Sequence, residues 1–197
     1  HPNDASPLGL RNLPFMIFVG GRDAAYNRNK VAAEWGDKLA ALRNQDPEGY
    51  PPKLTSYPDP GHWMNRRDAE ALPWMAERRR NPWPKTVVWH QSGRTHDRFY
   101  WLAVPDGSAA RGHTVRAGVD GQTVDIRADG PERLVLRLHD RLLDLDEDLV
   151  VMINGRQVFS GRVERSPRAI WNSLRQRMDP GTVATAELGL DIPKHEE

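Results

Sequence analysis

Leu13-Pro14-Phe15-Met16-Ile17-Phe18-Val19 is an unbroken apolar run that stops at Gly20-Gly21-Arg22-Asp23. A strand with one face in water alternates apolar and polar side chains, so a run apolar on both faces requires cover on both. That is the condition of a strand inside a parallel sheet. Such a strand also needs neighbours at both edges, and sheets of this kind build their sites at the carboxyl ends of strands. Here that end carries Asp23. Residues 1–81 supply only about two strands and two helices, too few to bury a parallel sheet. The expectation is that this piece is the C-terminal portion of a larger sheet domain, and the opening His1-Pro2-Asn3-Asp4, neither a methionine nor a signal peptide, reads as a cut end.

The rest of this first segment supports an α/β pattern. Asn27 or Asn29 is placed to cap a helix carrying Val31, Trp35, Leu39 and Leu42 on one stripe, which ends before Asp46-Pro47-Glu48-Gly49. Lys53-Leu54-Thr55-Ser56-Tyr57 reads as a second strand, and its loop, Pro58-Asp59-Pro60-Gly61, delivers His62. A second helix is expected from about Asn65 to Arg79, with Leu72, Met75 and Ala76 on one side and Arg78-Arg79-Arg80 at its negative dipole end. Gly20 and Gly21 are read as allowing a sharp exit from the first strand.

Asn81-Pro82-Trp83-Pro84 then breaks the pattern. The division expected is 1–81 for the α/β segment, 82–85 for a linker and 86–197 for a β-rich domain. Thr86–His90, Arg98–Val104, Thr114–Val119, Gln122–Arg127 and Arg133–Leu138 are short strand candidates separated by Gly, Asp and Pro. Leu149–Phe159 reads as a hairpin, because Asn154-Gly155 suits the positive backbone angles of a type I′ turn. Ser166-Pro167 starts a helix presenting Ile170, Leu174 and Arg177 or Met178, and Val183–Leu190 closes as a strand. The fold class expected is α/β followed by a β-sandwich of immunoglobulin or fibronectin type III kind with one helix.

Composition and spacing withdraw support from several function classes. Lys and Arg number 28 against 27 acids, and a net charge of +1 provides no basic field for nucleic acid. The chain has no cysteine, so disulfides and thiolate chemistry are absent, while the compartment stays open, secreted or periplasmic included. No apolar stretch approaches the roughly 20 residues of a membrane span. His90, His96, His113 and His139 match no zinc pattern, and Asp144-Leu145-Asp146-Glu147-Asp148 departs from a calcium loop at Leu149 and Gly155. No metal or cofactor is expected. Trp83, Trp89, Phe99, Tyr100, Trp101 and Trp171 could form a sugar platform, but strand alternation assigns at least one set of them to core.

Acid after one strand and histidine after the next is the order seen in one family. Leu13 to about Arg80 resembles the C-terminal third of an α/β-hydrolase of the dienelactone hydrolase, carboxylesterase and prolyl-oligopeptidase-like group. The resemblance implies that Asp23 is the triad acid and His62 the base, with the nucleophilic serine preceding them in a Gly-x-Ser-x-Gly elbow. Ser6, Ser56, Ser92, Ser108, Ser160, Ser166 and Ser173 all lack the flanking glycines. The phrase Arg98-Phe99-Tyr100-Trp101-Leu102 resembles part of the β-rich appendage some of these hydrolases carry. Trp63 and Met64 are candidates to line the substrate pocket, and Asp59, between two prolines, is a turn residue rather than the acid. The resemblance thus implies a hydrolase of small ester or peptide substrates whose serine and oxyanion hole lie on a missing N-terminal half, in the same gene product or a cleaved second chain. The isolated chain would be inactive. The rival expectation is a non-catalytic protein whose β-rich half binds glycan or protein.

Overall fold

The computed structural model describes residues 5–193 and is of mixed α/β type. Its contacts divide the chain after Asn81 into two units.

In the first unit β1 (Phe15–Gly20) and β2 (Pro52–Tyr57) pair in parallel, Phe15 opposite Pro52 through Gly20 opposite Tyr57. The crossover between them is α1 (Arg28–Gln45), which packs on both strands. Leu39 of the expected stripe is fully buried, while Val31, Trp35 and Leu42 are half-buried. The chain's return is locked by Arg11, whose guanidinium donates twice to Asp46, Nε to Oδ2 at 2.7 Å and Nη2 to Oδ1 at 3.0 Å. Tyr50 closes the same corner, its backbone amide donating to Arg11 O and its hydroxyl to Leu8 O.

Among the described residues β1 pairs only with β2, and Phe15, Met16, Ile17 and Phe18 are half-buried rather than enclosed.

The second helix departs from expectation. Asn65 and Arg66 adopt left-handed backbone angles inside a 3-10 segment, Met64–Glu70, and only Ala71–Ala76 (α2) is α-helical. Pro73 is the physical reason. Without an N–H it is tolerated in a first helical turn but not at the centre of a helix running from 65 to 79. Leu72 and Met75 are 68% and 60% exposed instead of packed.

The second unit contains two sheets, β10-β9-β7-β6-β3 and β11-β8-β5-β4. Their strands are β3 (Thr86–His90), β4 (Arg98–Phe99), β5 (Leu102–Ala103), β6 (Thr114–Asp120), β7 (Thr123–Asp129), β8 (Arg133–Leu138), β9 (Leu149–Ile153), β10 (Arg156–Gly161) and β11 (Ala186–Asp191). All neighbours are antiparallel except β7 and β9. Alternate residues enter one shared core, including Val115, Val124, Ile126, Leu134, Leu136, Val151 and Ile153. Trp83, from the segment read as a linker, is buried there and donates its indole N–H to Gly181 O at 3.0 Å. Trp89 and Trp101 are also core, Phe99 and Tyr100 pack against it, and Trp171 points outward at 65% exposure.

Arg98–Val104 is not one strand. Tyr100 turns with φ 53°, and Arg98 and Phe99 fold back onto Ala103 and Leu102 as a tight hairpin. Asn154 and Gly155 take φ of 51° and 80° at the β9–β10 turn. The helix α3 (Pro167–Arg177) is capped by Ser166 Oγ, which accepts from the Ala169 amide. Its buried face is Ala169 and Ser173, whereas Ile170 and Leu174 are turned outward.

Candidate functional site

The carboxyl ends of β1 and β2 lie side by side, and each continues into a loop. After β1 the Gly21 amide donates to Tyr57 O at 2.7 Å and the Arg22 amide to Pro60 O at 3.3 Å, stitching the two loops together. This contact is so close that side chains are excluded. A Cβ on Gly20 would lie 2.3 Å from the carbonyl oxygens of Pro60 and Gly61, and one on Gly21 would lie 2.7 Å from Pro58 O. Neither glycine has positive φ, so their role is closeness of backbone to backbone rather than the sharp turn expected from the sequence.

Through this seam Asp23 and His62 meet. His62 Nδ1 and Asp23 Oδ2 are 2.8 Å apart. An ionised carboxylate only accepts, so Nδ1 is the donor of this contact, and an imidazole carrying its single proton there presents Nε2 as an acceptor. Nε2 has no hydrogen-bond partner among the described residues, and the His62 side chain is 54% exposed. Asp23 is 7% exposed. Its second oxygen accepts from Arg28 Nη1 at 3.1 Å. The hydrogen bond from His62 holds the Asp23 carboxyl below the ordinary aspartate range, opposed by burial and reinforced by the Arg28 hydrogen bond and charge.

Asn29 secures the acid loop. Its amide donates to Asp23 O, its Nδ2 donates to Gly21 O at 2.9 Å, and its Oδ1 accepts from the Lys30 amide. Asn27 precedes α1 in a left-handed conformation without a capping hydrogen bond from its side chain. Arg28, which sequence reading passed over, and Asn29, read there only as a helix cap, are therefore the neighbours that hold Asp23 and its loop. Their position at the start of a helix directly after a strand-end acid was the available signal.

Asp59 is exposed and faces Arg22 across 3.7 Å, away from the acid role. Trp63 stands edge-on to the His62 ring, centroids 5.5 Å apart, and is 84% exposed. Met64 is half-buried and left-handed, with φ 45°. Among the described residues no group of three or more His, Asp or Glu is placed to hold a metal ion, and no helix is long and apolar enough to cross a membrane.

What this arrangement does chemically is confined to one proton. A buried, ionised carboxylate orients a half-exposed imidazole so that its free nitrogen can take a proton from a hydroxyl brought within hydrogen-bond reach. No family model, curated protein or solved structure matches the chain.

Proposed function

We propose that the first unit is the C-terminal part of an α/β-hydrolase sheet and that His62 and Asp23 are the base and acid of a Ser-His-Asp triad cleaving ester or peptide bonds. The observation that carries this reading is the 2.8 Å contact between His62 Nδ1 and the buried Asp23, across the ends of two adjacent parallel strands. His62 Nε2 would accept the serine hydroxyl proton as its oxygen adds to the carbonyl carbon, then return that proton to the departing alcohol or amine. Asp23 stays ionised throughout and stabilises the imidazolium. The serine is supplied by polypeptide outside residues 1–197.

The free edge of β1 supports the same reading. An open groove of about 950 Å³ runs along it, lined by Phe15, Met16, Phe18, Val31, Ala32 and Trp35. These are the residues a further parallel strand and its helix would cover. Residues 86–193, with two sheets around one core, fit a β-sandwich appendage of immunoglobulin or fibronectin type III kind.

The test is labelling with a fluorophosphonate probe, which reports an activated serine. The complete gene product is expected to react and to lose reactivity on His62→Ala, while the 197-residue chain alone stays unlabelled. Labelling of that chain alone, or full reactivity of the His62→Ala protein, overturns the assignment.

A further inference from the structure

The second unit holds a cavity of about 650 Å³ at the end of the four-stranded sheet, beside the C-terminal turn of α3. That lies within the roughly 300–1,000 Å³ of small-molecule sites. Its walls bring together Arg98 from β4, Arg137 from β8, and Arg175 and Arg177 from α3. Against these four guanidinium groups the lining offers two carboxylates, Asp97 and Asp106, a balance of +2. Asp97 is already committed, accepting from the backbone amides of Gly107 and Ala109.

The arginines differ in how far they are satisfied. Arg98 is spent on α3, donating to the side chain and the carbonyl of Gln176. Arg137 is the deepest, its side chain 11% exposed, with Nε 3.3 Å from Glu187 Oε1 but without a hydrogen bond. Its two terminal amino groups make no hydrogen bond to any described residue, and neither do the Arg175 and Arg177 side chains.

Glu187 pairs with the Nε edge of Arg137 alone, and like charges beyond such a pair repel unless a further anion lies among them. The geometry points to this cavity as a binding site for a small organic molecule bearing a carboxylate, phosphate or sulfate group, held by the fork of Arg137 with Arg177 and Arg175 at the rim. A guanidinium fork matches such oxyanions with paired hydrogen bonds. Burial, and then the charge of Arg177 together with that of Arg137, lowers the proton affinity of Arg98, with Asp106 opposing. On Arg137 burial acts the same way and leads, opposed by the carboxylates of Glu187 and then Asp106, with a smaller contribution from Arg177. A bound oxyanion relieves the repulsion among Arg98, Arg137 and Arg177 and occupies the terminal amino groups of Arg137 that Glu187 does not reach.

The site is independent of the proposed triad and is tested on the whole chain by amide shift mapping. Glucose 6-phosphate, glucuronate, glucose 6-sulfate and inorganic phosphate are titrated in turn, with glucose as the uncharged control. At least one charged probe is expected to give saturable shifts centred on Arg98, Asp106, Arg137 and Arg177, and glucose none. Which probe binds best identifies the oxyanion and whether the sugar body contributes. Arg137→Gln is expected to weaken binding about tenfold or more, as loss of a charged hydrogen bond does. Arg177→Gln, exposed and without a described partner, retains the fold and also weakens binding, so it decides the matter if Arg137→Gln misfolds. No saturable shift with any charged probe, shifts scattered over the surface, or unchanged affinity in Arg177→Gln would overturn the proposal.

Discussion

The seam between the acid and histidine loops makes a sharp demand on Gly20. Alanine there would place Cβ 2.3 Å from two backbone oxygens, Pro60 O and Gly61 O, both in the loop that carries His62. No flexible side chain is available to yield. Relieving the overlap needs a displacement of roughly 1 Å, the scale on which close contacts are gained or lost. Opening the 2.8 Å His62–Asp23 contact by that amount takes it past the roughly 3.5 Å at which a hydrogen bond ceases to count. Overpacking of this kind costs about 1–3 kcal/mol. At a urea slope of about 2 kcal/mol/M, the middle of that range lowers the unfolding midpoint by about 1 M. Gly61, in the same loop, provides the control. A Cβ there meets nothing within 4 Å, and its φ is not left-handed. Gly61→Ala is therefore expected to be neutral or stabilising by up to about 1 kcal/mol. Urea unfolding of the three proteins, with the downfield Nδ1 proton of His62 followed by NMR, measures both effects. If Gly20→Ala unfolds within about 0.5 kcal/mol of the parent and keeps that proton signal, the two loops do not meet backbone to backbone.

Three further outcomes rest on individual contacts. Because the Asp23 carboxyl is held below its ordinary range, its ionised form is favoured by folding. The resulting stability is present above the ordinary aspartate pKa and is lost as pH falls through the lower folded value. Carboxyl 13C titration should give a depressed midpoint that rises on His62→Ala and less on Arg28→Gln; a midpoint at or above the ordinary value would contradict the geometry. Ser173 Oγ donates to Ala169 O at 2.9 Å and accepts from the Ala184 amide at 3.0 Å inside the second unit. Ser173→Ala should cost about 1–3 kcal/mol in thermal unfolding through the stranded amide, and no measurable loss would show that the bond does not hold α3. Gly155→Ala places a side chain at φ 80° in the β9–β10 turn and should cost on the order of 1–2 kcal/mol by the same assay, an unchanged stability arguing against the type I′ geometry.

The strands of the second unit were legible wherever alternation was bounded by turn chemistry. Thr86–His90 and Arg133–Leu138 coincide with β3 and β8, and Asn154-Gly155 turns as its dipeptide requires. Reading failed where a left-handed residue carried no such signal. Tyr100 breaks Arg98–Val104 into a hairpin, and Met64, Asn65 and Arg66 divert the chain away from a long second helix. Helix α3 shows another limit. Its sequence stripe favours Ile170 and Leu174, but the small residues Ala169 and Ser173 face inward because they let the helix approach closely. Hydrophobicity alone ranks the wrong side. The parallel pairing of β7 with β9 joins segments across an intervening strand, and local pattern is blind to such order.

The candidate site divides along the same line. Asp23 and His62 were legible because each follows a strand, whereas the need for Gly20 and Gly21 arises only when two distant loops touch. Arg98 and Arg137 likewise become a pair only through the sheet that places β4 and β8 on one side of a cavity. The apolar run that first identified β1 leaves a consequence of its own. Full burial of a large apolar side chain contributes about 1.5–3 kcal/mol, yet Phe15, Met16, Ile17 and Phe18 are each only half-buried. Covering them would therefore add on the order of 3–6 kcal/mol to a unit whose buried apolar side chains, among the described residues, are Pro7, Val19, Leu39 and Tyr50. In the proposed reading the strand that covers them belongs to the same sheet that presents the serine to His62. Completion of the sheet and assembly of the triad are then one event, and the energy that stabilises β1 is also what sets the base opposite its substrate.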